Sequence, residues 1–243
     1  MEVLIRGLSK NFGTVKAVSD LTVSIEPGQV TAFVGPDGAG KSTTLRMILG
    51  LIHPDAGEAL IGERRYRELP RPRRVVGAVL HPSGLHPGRR GLDHLRILAC
   101  ASGLPGSRAE EALERAGLTN AAREPIRRYS RDMRLRLVVA AALVGDPEVL
   151  ILDEQPDGAE LAEGAWLCQL LAGLAAQGKT VIVACPKLAD VSALAGRLVV
   201  LNGGQLRFAG SFAEFCDGKD LAALEASFNG RTQTAESSPK ELL

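Results

Sequence analysis

Aromatic residues make up only 4% of the 243 residues, and the 4 cysteines form no Cys-x-x-Cys pair. Zinc-knuckle and dithiol redox chemistry are therefore not indicated, and four buried, reduced thiols in a cytosolic protein are the expectation. The most apolar run, Leu137 to Gly145, is far short of the roughly 20 residues that cross a bilayer. The opening MEVLIRGLSK carries Glu2, Arg6 and Lys10 and lacks the apolar core of a secretory signal. A large excess of charge is missing too: 29 basic against 28 acidic side chains leave +1, too little for a global field that would hold nucleic acid or an anionic membrane. What remains is a chain that is 45% hydrophobic and 23% charged, enough to bury one full-sized core with a subdomain. Such a chain is expected to be soluble while lying against a membrane protein.

Val3 to Ile25 is β-branched and broken by Asn11, Gly13 and Asp20, a pattern of small antiparallel strands closed by Pro27-Gly28. VTAFV (30 to 34) predicts a buried strand, a glycine loop follows, and Leu45, Ile48 and Leu49 share one face of a helix over 43 to 49. A strand is expected at VVGAVL (75 to 80), with helices at 92 to 101, 108 to 116 and 132 to 144. After Pro147 the order becomes strand (149 to 153), helix (about 160 to 176), strand (180 to 185), short helix, strand (197 to 202). Such alternation predicts a parallel sheet covered by helices. Asn202-Gly203-Gly204 reads as a hairpin turn into QLRFAG, and the polar tail beyond Gly230 is expected to fray.

Gly35-Pro36-Asp37-Gly38-Ala39-Gly40-Lys41-Ser42 fits G-x-x-x-x-G-K-[ST] between a strand and a helix. Its glycines let backbone N–H groups wrap a polyphosphate at a helix N-terminus. Lys41 then suits the β and γ phosphates of ATP, and the Ser42 hydroxyl suits Mg²⁺. The apolar run 149 to 152 delivers Asp153 and Glu154 at the C-terminal end of a strand, where parallel sheets bind ligands. Asp153 fits a role behind the Mg²⁺, and Glu154 could orient or polarise an attacking water. Alone, a strand ending in Asp-Glu is more often a solvated turn. Together with the glycine loop it reads as a nucleotide site.

LSKNFG (8 to 13), GPDGAGKSTTLRMILGL (35 to 51), HPGRRGLDHLRILA (86 to 99), YSRDMRLRL (129 to 137), GDPEVLILDE (145 to 154) and RLVVLNGGQL (197 to 206) together resemble the ATP-binding subunits of ABC transporters. The likeness is strongest to the drug-resistance and lantibiotic-type exporters. It implies an α/β P-loop NTPase of ABC type over about 1 to 230, with a mixed sheet, flanking helices and an N-terminal antiparallel β subdomain. A helical subdomain over about 85 to 145 would meet the membrane partner, with a flexible tail at 231 to 243. By resemblance, Phe12 stacks on adenine, and Gly35 to Thr43 hold the nucleotide, with Thr43 following Lys41 and Ser42. Ser42 and Asp153 hold Mg²⁺, and Glu154 and Lys41 carry catalysis. The implied partners are a separately encoded transmembrane permease and a second ATPase subunit, in a homodimer or heterodimer. No nucleic acid is implied, and the place of work would be the inner face of the cell membrane.

The departures from the family pattern bear on mechanism. In the family, ATP lies between two subunits, each offering a signature segment to its partner's nucleotide. Here that segment is Ser130-Arg131-Asp132-Met133, with an anion where a glycine N–H would meet phosphate. At about 4 Å and an effective dielectric near 20, such a like-charge contact costs roughly 4 kcal/mol, which Arg131 and Arg134 could offset. Capping of the following helix explains Asp132 equally well. Pro186 occupies the position of the family's histidine, a loss worth about 10² to 10³ in rate. His81 replaces a glutamine, and the loop Gln155 to Glu160 is altered. Two outcomes stay open: an exporter ATPase with slow intrinsic hydrolysis, or a regulatory subunit that binds nucleotide without turnover. A DNA-repair relative would need a long coiled-coil insertion, and a P-loop kinase leaves the residues after Asp153 unexplained.

Among the remaining residues, His53, His81, His86 and His94 are expected on the surface or in loops. Arg64, Arg65, Arg67, Arg71, Arg73 and Arg74 form a basic run read as a solvated face, and Trp166 is read as core or interface.

Overall fold

The computed structural model describes residues 1–80, 84–153 and 165–217, together with Leu224. Strands β1 (Val3–Phe12), β2 (Val15–Ile25) and β4 (Ala56–Ile61) form an antiparallel sheet in the order β2-β1-β4. The second sheet contains β5 (Val76–Val79), β6 (Val149–Leu152), β7 (Thr180–Cys185), β3 (Val30–Val34), β8 (Arg197–Asn202) and β9 (Gln205–Ser211), in that order. All its pairings are parallel except β8 with β9, which turn through the Asn202–Gln205 hairpin. The architecture is the mixed α/β sheet with flanking helices that the chain's alternation requires.

Continuous apolar runs are the signature of strands buried on both faces. In β6, Leu150 and Leu152 join one core, with α6 (Ala165–Ala176) and part of α5 (Arg131–Leu143), while Val149 and Ile151 join the other, with α1 (Lys41–Ile48) and the antiparallel sheet. In β7, Val181 and Val183 face the first core and Ile182 the second. A third core is local to α3 (Gly91–Ala101), α4 (Ser107–Arg115) and α5, around Leu95, Ala112, Leu113 and Leu137. It is tied to the sheet by Asp146, which accepts from Lys179 at 2.6 Å and Arg115 at 3.3 Å. The Lys179 bond, then Arg115, holds the Asp146 carboxyl below its usual range. Among the described residues no helix is long and apolar enough to cross a membrane.

Several expectations need correction. β4 is a full strand in AGEALI, a segment whose composition shows no strand pattern. Gly57 has φ +75 and lies against the Arg6 and Gly7 carbonyls, where any Cβ would collide, so a residue that looks like a loop signal allows the strand to approach. α2 (Pro72–Val75) and α7 (Phe212–Cys216) are short helices without a periodic signal, and a single 3-10 turn, Ala189–Val191, stands where a short helix is expected. Only Cys185 is a buried thiol; Cys100 is exposed, and Cys168 and Cys216 are half-buried. His94 is not a surface residue either, being 8% exposed beside Arg89. The starting residues of the helix expected from about 160, and the tail beyond 230, lie outside the described residues.

Candidate functional site

The glycine loop leaves β3 and enters α1, whose N-cap is Gly40 in the left-handed region at φ +100. Gly40 packs on the Ala17 carbonyl of β2, where a side chain would collide, so only glycine allows both the turn and the close approach. α1 starts at Lys41, two residues earlier than the apolar spacing indicates, because its first turn is held by the loop: Thr44 N and Oγ1 both donate to Gly40 O at 2.9 Å. Lys41 is 3% exposed and its ammonium donates to Gly35 O at 2.6 Å and Pro36 O at 3.1 Å. The positive charge is thereby kept inside the loop.

Asp153 follows β6 and is anchored by its N–H on Val79 O at 2.8 Å. Its carboxylate, 4% exposed, accepts from Ser42 Oγ at 2.7 Å across 111 positions of sequence. A buried carboxylate needs such partners, since an uncompensated one would be expensive. Arg46 Nη2 stands 3.7 Å from the other carboxylate oxygen. This arginine went unnoticed in the sequence, yet it lies one turn beyond Ser42 and so shares its helix face. The hydroxyl, the carboxylate and the open glycine loop form an oxygen set of the kind Mg²⁺ takes beside a phosphate. No other cluster of metal-binding side chains occurs among the described residues.

Phe12 is 49% exposed at the tip of the β1–β2 hairpin, with the Lys10 ammonium 5.7 Å from its ring centre. Its strand pair leads into Ala17, the residue that Gly40 touches. A ring exposed to this extent can stack on a planar base. Pro36, Asp37, Gly38 and Ala39 complete the loop, with Gly38 at φ +75, and Thr43 lies in the first turn of α1.

The segment 130 to 133 opens α5. Ser130, not Asp132, is the cap: its Oγ accepts from Met133 N at 3.1 Å. Asp132 instead receives Arg136 Nε at 2.7 Å, one turn along, and the Arg136 guanidinium stacks 4.5 Å above the half-buried Trp166 ring. The charge expected to fall to Arg131 and Arg134 is thus matched by a residue the sequence reading did not single out. Pro186 follows β7 half-buried, and Lys187 is exposed. Glu154, His81 and the loop 155 to 160 lie outside the described residues.

A cavity of about 350 Å³ opens between the β5 edge of the sheet and the helices of the third core, lined by Leu49, Leu51, Leu98, Val138 and Ala141 among others. The six arginines of the basic run at 64 to 74 are exposed, while Tyr66 and Leu69 between them pack against the second core.

Residues 18–156 match the family model described as ABC transporter. The chain is 34% identical over 254 aligned positions, covering 98% of it and 79% of the relative, to a Nod factor export ATP-binding protein I of Ralstonia nicotianae. A protein of the same name from Cupriavidus pinatubonensis is 35% identical over 83% of this chain and 63% of its own length. Among solved structures, a dimeric bacterial ABC transporter cassette superposes with a TM-score of 0.75 at 23% identity, covering 86% of this chain and 98% of that one. A component of the cbiONQ ABC transporter complex of Clostridium perfringens reaches 0.79 at 23% identity, over 97% and 98%.

Proposed function

The chain belongs to the ABC transporter family of ATP-binding proteins, and from that membership we propose that it is the ATP-binding subunit of an exporter, coupling MgATP binding and slow hydrolysis to a separately encoded transmembrane permease. The observation that carries this reading is the 2.7 Å bond between Ser42 and Asp153, next to the buried Lys41. Two segments 111 positions apart meet where a triphosphate and its cation need a hydroxyl, a carboxylate and an ammonium.

On this reading the loop from Gly35 to Gly40 wraps the phosphates with its N–H groups, and Lys41 exchanges the Gly35 and Pro36 carbonyls for phosphate oxygens. Ser42 and Asp153 hold Mg²⁺, Thr43 lies against the nucleotide, and Phe12 stacks on the base. Bound MgATP supplies the phosphoryl group to be transferred and the cation that neutralises charge developing on it. Glu154, next in sequence to Asp153, is assigned the water-orienting role. The named export function of the Ralstonia relative supports the direction of transport. Permease coupling falls to the helices of the third core, a dimer with a like subunit completes the site, and attachment to the inner membrane face is through the permease.

Slow turnover is proposed because Pro186 offers no side-chain hydrogen bond where the family uses a histidine. Asp132 is a smaller obstacle than an isolated anion, since Arg136 neutralises it at 2.7 Å. Pro186 also favours the second reading, a subunit that binds nucleotide without turnover. MgATP turnover of the wild type, Glu154→Gln and Pro186→His, with calorimetric nucleotide binding in parallel, separates the two. A wild-type rate above the Glu154→Gln background and raised at least tenfold by Pro186→His is expected. A wild-type rate equal to that background establishes the binding-only reading, and absence of ATP binding sinks both.

A further inference from the structure

Besides the 64–74 run, in which Arg65 pairs with Glu58 and Arg67 donates to the Gly50 carbonyl, a second concentration of positive charge lies on the third core and includes Arg131 of the segment 130–133. Segments 86–92 and 122–131 run side by side, joined by Ile126 N to Arg89 O at 2.9 Å, Arg127 N to Pro87 O at 2.8 Å and Leu92 N to Ala122 O at 3.1 Å. The Tyr129 hydroxyl, bonded to Ala121 O at 2.8 Å, pins the ribbon against the third core. This pairing collects Arg89, Arg90, Arg123, Arg127, Arg128 and Arg131, with Glu124 as the one acid in the two segments. Seventeen residues thus carry +5 in a chain whose total is +1.

These cations are not consumed by the fold. Arg90, Arg123, Arg127, Arg128 and Arg131 are exposed, and none forms an ion pair with a carboxylate among the described residues. Arg89 meets His94 Nδ1 at 3.3 Å, a ring whose protonation is disfavoured by burial first and by Arg89 second, and a ring that carries no negative charge to cancel the guanidinium. Six like charges held together by backbone hydrogen bonds repel one another unless an anionic surface covers them.

The kind of anion follows from what the ribbon lacks. Ile126 and Tyr129 are buried and Leu92 is half-buried, leaving no exposed aromatic or aliphatic anchor. A folded protein partner is normally gripped through such anchors. A sheet of phosphate headgroups rewards several exposed cations without demanding a matched pocket. We propose that the Arg89–Arg90 and Arg123–Arg131 ribbon is a docking surface for anionic phospholipid headgroups, placing this chain directly against the membrane as well as against its permease. The proposal is independent of nucleotide turnover, so it stands or falls apart from the reading above.

The test is co-sedimentation of the full chain with phosphatidylcholine vesicles, with and without about 30 mol% phosphatidylglycerol. Binding only to the anionic vesicles, abolished near 0.5 M salt, is expected, as is a loss on the order of 100-fold in Arg123→Ala/Arg127→Ala/Arg128→Ala. A triple lysine variant at the same positions should stay within about threefold of wild type, because a diffuse surface asks for charge rather than fork geometry. Removal of as many charges elsewhere, in Arg64→Ala/Arg71→Ala/Arg74→Ala, should leave at least half of the binding energy. An unchanged melting temperature and ATP affinity show that the variants are folded. Equal binding to neutral vesicles, no binding to anionic ones, or an equal loss in the control triple overturns the proposal. Capture by polyglutamate without vesicle binding overturns it in favour of an acidic protein partner.

Discussion

Arg46 shows how one side chain bears on the site without belonging to the glycine-loop motif. Its guanidinium is 3.7 Å from Asp153 Oδ2 but 45% exposed, so the pair is screened and worth no more than about 1 kcal/mol. On the proposed assignment of Asp153 to Mg²⁺, the guanidinium competes with the metal for the carboxylate. Arg46→Ala is expected to lower the Mg²⁺ concentration for half-maximal ATP binding by about two- to fivefold, read by titrating free metal at fixed nucleotide. An increase would mean that Arg46 chiefly orients Asp153. At His94, burial first and Arg89 second press the imidazole below 6.5, so the folded state prefers the neutral ring. Stability is then complete above 6.5, falls as pH drops toward the folded value, and is flat beneath it. Urea midpoints at pH 7.5 and 5.5, about a unit either side, should differ for wild type, and His94→Gln should remove most of the difference.

At the scale of elements, Ser130 decides where α5 begins. Its hydroxyl satisfies Met133 N, while Asp132 and Arg136 pair along the first turns. Ser130→Ala should cost about 1 kcal/mol, a fall of about 2–4 °C in the thermal midpoint for a domain of this size. A null result would mean that Asp132 takes over the cap. Helices with strong spacing, such as 91 to 101, were legible within a residue or two, because their apolar faces meet a core of their own. β4 was not, since its strand character depends on the neighbouring β1 backbone accepting Gly57 at close range. Nor was the early start of α1, which is set by hydrogen bonds into the glycine loop rather than by its apolar stripe.

For the whole molecule, a ligand that binds only the folded state raises stability by mass action. MgATP at about one hundred times its dissociation constant should add about 2.7 kcal/mol and raise the thermal midpoint by about 5–10 °C. Lys41→Ala should erase the shift while leaving the unliganded midpoint within a few degrees. A shift that persists without Lys41 would place the nucleotide elsewhere. The same fold explains why the arginine ribbon could not be read along the chain: its halves lie some 30 positions apart, and a balanced total charge conceals them.

The alternation of the strands and helices with a strong hydrophobic period, the glycine loop and the acidic end of β6 were set by the sequence itself, because hydrophobic period and glycine placement act over a few residues. Meetings between distant segments belong to tertiary structure alone. Only the parallel pairing of β3, β7 and β6 carries Asp153 to Ser42, and only the folded third core brings the ribbon's two arginine-bearing segments side by side. Likewise, the choice of Ser130 over Asp132 as cap depends on Arg136 lying within reach of that carboxylate, a matter of side-chain geometry that spacing does not decide.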